Sequence, residues 1–263
     1  MDLGIAGRVA IITGGSKGIG AATARILSAE GVSIVLGARS PEPLEALVAE
    51  IEASGGAAAG VVVDVLDRGS AATLHRAALD RFGGVDIVVN NAGGGGSPLA
   101  RFDEDEWLEV YAKNVTSAVR LVTECLPTMK AQGWGRIVNV ASTSARHCDP
   151  RFGPYGAAKA ALLHVSRNLA LAHSADGILT NCVLPGLTRT DGVLGRYDDA
   201  AAASGRSADD IERRMLERQP IAMGRAGEPD EVASMIAFLC SERASWTSGS
   251  LVSVDGATLT DVP

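Results

Sequence analysis

Short runs of consecutive apolar residues alternate along this chain with longer stretches in which apolar positions recur at helical spacing. The runs Val9–Thr13, Ser33–Leu36, Gly60–Val63, Val85–Val89, Arg136–Val140, Leu179–Leu184 and Leu251–Val254 predict seven strands. Most are apolar throughout rather than alternating, the pattern of strands covered by helices on both faces of a parallel sheet. The longer stretches predict helices over 18–30, 41–54, 67–82, 103–131, 153–175 and 228–240. Asp103, with Glu106 three residues on, reads as a capping box opening the fourth of these. Strict strand–helix alternation implies one doubly wound α/β domain over residues 1–263, a three-layer fold with helices on both faces of a parallel seven-stranded sheet. The segment 187–227 breaks the pattern. It carries Ala200–Ala203, several glycines and many charges, and a long irregular connection of that kind is expected to be a functional lid.

Composition narrows the function classes. With 46% hydrophobic residues the chain is not a disordered polymer, and its 31 glycines follow no Gly-X-Y period. The net charge is −7 with no basic stripe, so no nucleic-acid partner is expected. Cys125, Cys148, Cys182 and Cys240 are far apart and form no CxxC, and the four histidines lack ligand spacing. Free thiols in a reducing compartment and no metal are therefore expected. No apolar run reaches the ~18 residues of a membrane span, and the N-terminus lacks the pattern of a signal peptide. A soluble, cytoplasmic protein with no membrane partner is the resulting expectation.

The glycines point to a ligand. After the first strand comes Thr13-Gly14-Gly15-Ser16-Lys17-Gly18-Ile19-Gly20, running straight into a helix. Glycines let the backbone approach a pyrophosphate, whose charge the free N–H groups of a helix N-terminus stabilise. The second strand ends Gly37-Ala38-Arg39-Ser40, with no carboxylate for a ribose diol. Arg39 offers a fork for a 2′-phosphate, and Lys17 is a second cation for it. NADP(H) is the expected cofactor, with NAD(H) as the alternative. Tyr155 and Lys159 lie four apart on one helix face. An ammonium beside a phenol favours the phenolate, making Tyr155 a workable general acid/base. Ser142 follows the fifth strand and is placed to hydrogen-bond a substrate oxygen. Asn114, in the fourth helix, is placed to hold a water that links Lys159 to solvent.

These pieces continue with Asp64-Val65 after the third strand, Asn90-Asn91-Ala92-Gly93 after the fourth and Asn114 in KNVTSA. Then come Ser142 in IVNVAS, Tyr155-x-x-x-Lys159, Pro185-Gly186 with Thr190, and GRAGEPDEVA at 224–233. In that order they resemble the short-chain dehydrogenase/reductase family, in its single-domain branch and most like 3-oxoacyl-acyl-carrier-protein reductases, from about residue 7 to 257. The resemblance implies a Rossmann-type fold and interconversion of a carbonyl and a secondary alcohol. It implies that Asp64 and Val65 meet the adenine, that Asn90 holds the adenosine ribose region and stabilises the central strand, and that Ala92 and Gly93 line the cleft. Lys159 would bind the nicotinamide ribose. Pro185, Gly186, the Thr188 backbone and Thr190 would fix the nicotinamide for hydride transfer from its B face. Ala141 replaces a second serine common in the family, and Asp255-Gly256-Ala257 replaces a more usual Asp-Gly-Gly; neither touches the catalytic set. The nearer rival is an NAD-dependent alcohol or sugar dehydrogenase of the same family; a non-catalytic dinucleotide sensor is the rival from another class, disfavoured because Ser142, Tyr155 and Lys159 are all present.

The substrate side is expected from 94–98, 143–153 and 187–219. Arg146 or His147 is a candidate for attracting an anionic group. Leu187, Val193, Leu194 and Tyr197 are expected to form an apolar lid wall, with Gly192 and Gly195 letting it move. Extra apolar residues on two helices (Leu121, Val122, Cys125 and Leu126; Ala161, Leu162, Val165 and Leu169) and the family's two interfaces lead to an expected homotetramer.

Overall fold

The apolar runs assemble into a seven-stranded sheet in the order β3-β2-β1-β4-β5-β6-β7, with every neighbouring pair parallel. The structure, a computed structural model, describes residues 2–218 and 221–260. The strands are β1 (Val9–Thr13), β2 (Ser33–Ala38), β3 (Ala58–Val62), β4 (Ile87–Asn90), β5 (Gly135–Val140), β6 (Ile178–Pro185) and β7 (Leu251–Val254). The helices among the described residues are α1 (Gly18–Ala29), α2 (Pro41–Ala53), α3 (Ser70–Phe82), α4 (Glu104–Tyr111), α5 (Ser117–Gln132), α6 (Gly153–His173), α7 (Asp191–Ser204), α8 (Ala208–Arg218) and α9 (Pro229–Leu239). The five central strands are buried along almost their whole length. Only the edge strands β3 and β7 alternate between covered and exposed positions.

One face of the sheet packs Leu27 of α1, Leu44 of α2 and Ile236 of α9 against Ile12, Leu36 and Val89. The other packs Leu74 of α3 and Met129 of α5 against Ile11, Val35 and Val88. Each such side chain contributes roughly 1.5–3 kcal/mol on burial, which is why apolar strands with no polar face settle between two helical layers. The chain turns outward from β1 in both directions, to β2 on one side and to β4 on the other. The C-terminal ends of β1 and β4 therefore open a crevice, the place where ligands bind in open α/β sheets.

Four expectations change in the structure. The helix expected over 103–131 is two helices, α4 and α5, joined by a π turn at Ala112–Thr116. The capping box at its start is half formed: Asp103 accepts from the amides of Asp105 and Glu106, but Glu106 turns to the Ser97 hydroxyl. The reciprocal box belongs to Glu228 and Glu231 at the start of α9. The segment 187–227 is not irregular, since it folds into α7 and α8. Gly192 and Gly195 lower helix propensity by up to ~1 kcal/mol each and hid α7, but both are helical, with Thr190 as N-cap and Gly205 closing the helix at φ +67°. Finally, Leu121, Val122, Cys125 and Leu162 do not wait for a partner subunit. They are buried in the chain's own core, at 1%, 1%, 0% and 1% exposure.

Candidate active site

The loops after six strands, β1 to β6, converge on the crevice. After β1, Gly14 takes φ +62° and Gly18 φ +52°, left-handed values that favour glycine. A Cβ on Gly20 would collide with the Gly14 carbonyl oxygen, so this position too is held to glycine by a close backbone approach. Asn91 locks the loop from the side: its Nδ2 donates to the Thr13 and Gly14 carbonyls, both at 3.0 Å. Thr13 Oγ1 in turn accepts from the amides of Asn91 and Ala92, both at 3.1 Å, tying β1 to the end of β4. Neither Thr13 nor Asn91 stood out as a site residue, because both work through backbone groups that only the β1–β4 pairing brings together. The first amide of α1, on Gly18, donates to the Asp191 carboxylate at 2.9 Å, so the start of α7 is tied to the glycine loop.

A cavity of about 300 Å³ opens beside this loop. Gly14, Ser16, Lys17, Arg39, Asp64, Val65, Ala92 and Gly93 all line it, and so does Lys113, which sequence reasoning missed. Lys17 and Arg39 are exposed and make no ion pair or side-chain hydrogen bond with any described residue. Asp64 is held by an Asx turn, its Oδ1 accepting from the Leu66 amide at 3.0 Å, and Arg120 props the loop by donating to the Val65 and Asp67 carbonyls. Asn90 does not face this cavity with its side chain. Its Nδ2 donates to Asn139 Oδ1 at 2.8 Å, and Asn139 donates on to Ser166 Oγ at 2.8 Å. This buried polar chain ties the sheet centre to α6, consistent with the strand-stabilising part of the expectation.

At the other end of the crevice Ser142, Tyr155, Lys159 and Asn114 come together from three elements. Ser142 follows β5 and caps a short 3₁₀ turn, its Oγ accepting from the Ser144 amide at 3.1 Å. Tyr155 lies in the first turn of α6, hydrogen-bonded to the Ser142 hydroxyl. Gly156 lets the turn after Ser142 pack closely on α6, because a Cβ there would lie 3.0 Å from the Ser144 carbonyl oxygen. Lys159, 2% exposed, donates to the Val140 carbonyl at 2.7 Å, with Nζ 5.7 Å from the Tyr155 ring centre. Asn114 lies in the π turn, which carries its side chain inward. Its amide exchanges two hydrogen bonds with Gly94, each 3.1 Å, and also donates to the Val110 carbonyl at 2.8 Å. Asn114 Oδ1 and Lys159 Nζ converge over Gly93: a Cβ there would stand 2.6 Å from one and 3.0 Å from the other.

The electrostatics correct one expectation. Burial dominates at Tyr155 and pushes the phenol above its ordinary value, opposed by the Ser142 hydrogen bond and the positive charge of Arg196. Burial also lowers Lys159 from 10.5 to about 8. Lys159 is thus poised to exchange a proton near neutral pH, but its ammonium does not set the direction at Tyr155. Arg196, in α7, is a functional candidate that its exposed helical position gave no reason to single out. Of the other substrate-side candidates, Asp149 and Arg151 neutralise each other at 2.5 Å, Arg146 is engaged within the protein, and His147 is exposed. Tyr197 is buried at 5% with its hydroxyl unpartnered, whereas Leu194 is 36% exposed. Thr188 Oγ1 donates to the Gly186 carbonyl, and Gly186 donates its amide to the Val254 carbonyl, anchoring the chain that leads into α7 to β7. A Cβ on Gly186 would press within 2.8 Å of the Asp255 backbone. Among the described residues no group of three or more His, Cys, Asp or Glu is arranged to hold a metal.

A family model described as enoyl-(acyl carrier protein) reductase matches residues 14–257. The chain is 36% identical over 258 residues to cis-4-hydroxycyclohexanecarboxylate dehydrogenase of Sinomonas cyclohexanicum, covering 97% of this chain and 98% of that one. It is 32% identical over 255 residues to 7α-hydroxysteroid dehydrogenase of Escherichia coli, covering 97% and 95%. Its structure superposes on L-sorbose reductase from Gluconobacter frateurii, solved with NADPH and L-sorbose, with a TM-score of 0.95 and 34% identity over 100% of both chains. Likeness over the whole length, a parallel seven-stranded sheet, and a serine, tyrosine, lysine and asparagine converging at its C-terminal edge agree on one conclusion: the chain belongs to the short-chain dehydrogenase/reductase family of oxidoreductases.

Proposed function

We propose that the protein interconverts a ketone and a secondary alcohol with NADP(H), as one catalytic domain with α7 and α8 as its lid. The observation that carries this reading is the convergence of the Ser142 and Tyr155 hydroxyls on one point, with Lys159 and Asn114 behind them. The glycine loop and the cavity with its unpaired Lys17 and Arg39 fit an adenosine carrying a 2′-phosphate. When bound, NADP(H) supplies or takes up the hydride. Ser142, whose Oγ already accepts from the Ser144 amide, orients its own O–H toward the substrate oxygen. Tyr155 gives that oxygen its proton in reduction and takes it back in oxidation. Lys159, near neutral in its proton affinity, restores the tyrosine proton, and Asn114 holds the geometry over Gly93. Pro185, Gly186, Thr188 and Thr190 stand where the nicotinamide end would be fixed. Deuteride carried at the pro-S position of NADPH should appear in the alcohol product. Transfer of the pro-R label overturns the assignment of these positions.

A hydroxy or keto acid is the substrate class best supported. Arg196 presents positive charge toward Tyr155 from the lid, and a relative 36% identical is named for a hydroxycyclohexanecarboxylate. Arg196→Ala should raise KM for such an acid and leave KM for its methyl ester unchanged; an equal effect on both discards the acid reading. No described helix is long and apolar enough to cross a membrane, in keeping with a cytoplasmic enzyme. A homotetramer is supported by exposed Leu108 and Tyr111 on α4, by Leu171 on α6, and by Leu251 on the edge strand β7. Sedimentation at the mass of one chain would overturn it.

A further inference from the structure

The π turn that carries Asn114 inward also brings its neighbour, Lys113, onto the wall of the adenosine-side cavity. Lys113 is held there by one partner, Glu109, a turn earlier on α4, with Nζ 3.0 Å from Oε1. A Cβ on Gly95 would lie 3.9 Å from that Nζ, so the ammonium stands over the glycine-rich loop that leaves β4. Lys17 and Arg39 reach the same cavity from the ends of β1 and β2, on the other side of the switch point. Three cations therefore face one lining carboxylate, Asp64, on a chain whose net charge is −7. Asp64 already spends an oxygen on the Leu66 amide.

The Glu109 pair is easily given up. Its carboxylate is 57% exposed, and exposed ion pairs of this i,i+4 kind shift an equilibrium by only about twofold. A phosphate offers more charge and several acceptor oxygens. The dinucleotide carries phosphate in two places. Lys17 and Arg39 follow β1 and β2, where a 2′-phosphate would lie. Lys113 comes from the opposite side, over Gly95, in a cavity that Gly93 also lines.

We infer that Lys113 is a third cofactor-binding cation, which leaves Glu109 to pair with the diphosphate bridge common to NADP(H) and NAD(H). Its contribution is therefore indifferent to the 2′-phosphate, unlike that of Arg39. Glu109 acts as its holder in the free protein and as a competitor during binding. This inference rests on reading the cavity as a dinucleotide site.

Titration of protein fluorescence with NADPH and with NADH at low salt tests it, on wild type, Lys113→Met and Glu109→Gln. Lys113→Met should weaken both dinucleotides alike, by about tenfold, and flatten the dependence of Kd on salt. Glu109→Gln should tighten both, by a few-fold, since it removes the competing charge; this variant keeps the test alive if Lys113→Met melts early. Weakening of NADPH alone would mean that Lys113 reads the 2′-phosphate, which overturns the inference. Unchanged affinity in both variants would reduce the pair to a surface contact and also overturn it. Failure of the wild type to bind either dinucleotide would instead sink the reading of the cavity itself.

Discussion

The two ends of the crevice hold their charged groups in opposite ways. At the end proposed as catalytic, Lys159 and Asn114 are 2% and 1% exposed, and backbone carbonyls and amides fix both in place. At the end proposed for the adenosine, Lys17 and Arg39 are exposed and make no ion pair within the described chain. The first end is organised before any ligand arrives, at the cost of burying an amine whose proton affinity falls to about 8. The second leaves its charge available to the ligand. Changes at the catalytic end should therefore strike turnover, and changes at the adenosine end should strike affinity.

The sharpest test of that contrast is Tyr155→Phe. It should reduce kcat by roughly 10³-fold, within the range for losing a general acid, while NADPH affinity measured by fluorescence quenching stays within a factor of two or so. Retained turnover would remove Tyr155 from the acid/base role. Gly93→Ala should follow, with kcat lower by about 10²-fold, because the new methyl must displace Asn114 Oδ1 or Lys159 Nζ. Activity near wild type would show that the convergence over Gly93 is not needed. Arg39→Ala is the mirror case. It should raise Kd for NADPH by about ten- to a hundredfold, leave NADH nearly untouched and spare kcat; equal losses for both would erase the distinction between the two ends.

The smallest expected effect is on stability. Burial lowers Lys159 below its ordinary 10.5 to about 8, so between these values the unfolded chain binds more protons than the folded one. Stability then rises with pH across that window, by up to ~1.4 kcal/mol per unit, and the penalty for charging the amine is fully present below pH 8. Lys159→Met should remove this slope, so the gap in melting temperature between wild type and variant should shift in favour of wild type from pH 8 to 10. Parallel curves would mean that Lys159 is not effectively buried.

The fold was legible because strands with no polar face require cover on both sides, and β7 was placed to the residue. Two boundaries slipped where glycine or alanine does the pairing, since β2 runs on to Ala38 through Gly37 and β3 begins at Ala58 rather than Gly60; β4 begins at Ile87 rather than Val85, and β6 extends to Ile178 and Pro185. Gly37 has its own reason, since a Cβ there would meet Leu74 of α3 at 2.9 Å. In the segment 187–227 glycines and charges mask a helix pair, α7 packed on α8. Ala257, noted only as a departure from Asp-Gly-Gly, proves to be the one described non-glycine residue with positive φ, at +62°. For an L-residue that conformation costs roughly 1–2 kcal/mol.

By itself the sequence determined the alternating architecture, the glycine loop after β1 and the four side chains that converge at the candidate site. These follow from residue type and local order, which a one-dimensional pattern carries. Only the tertiary structure decided that a π turn aims Asn114 inward and puts Lys113 on the cavity wall, and that Asn90 braces the sheet. It alone decided that burial rather than the lysine charge governs Tyr155. Each of those depends on which groups distant strands bring within hydrogen-bonding reach and how much water they exclude, and neither quantity is written in the order of the residues.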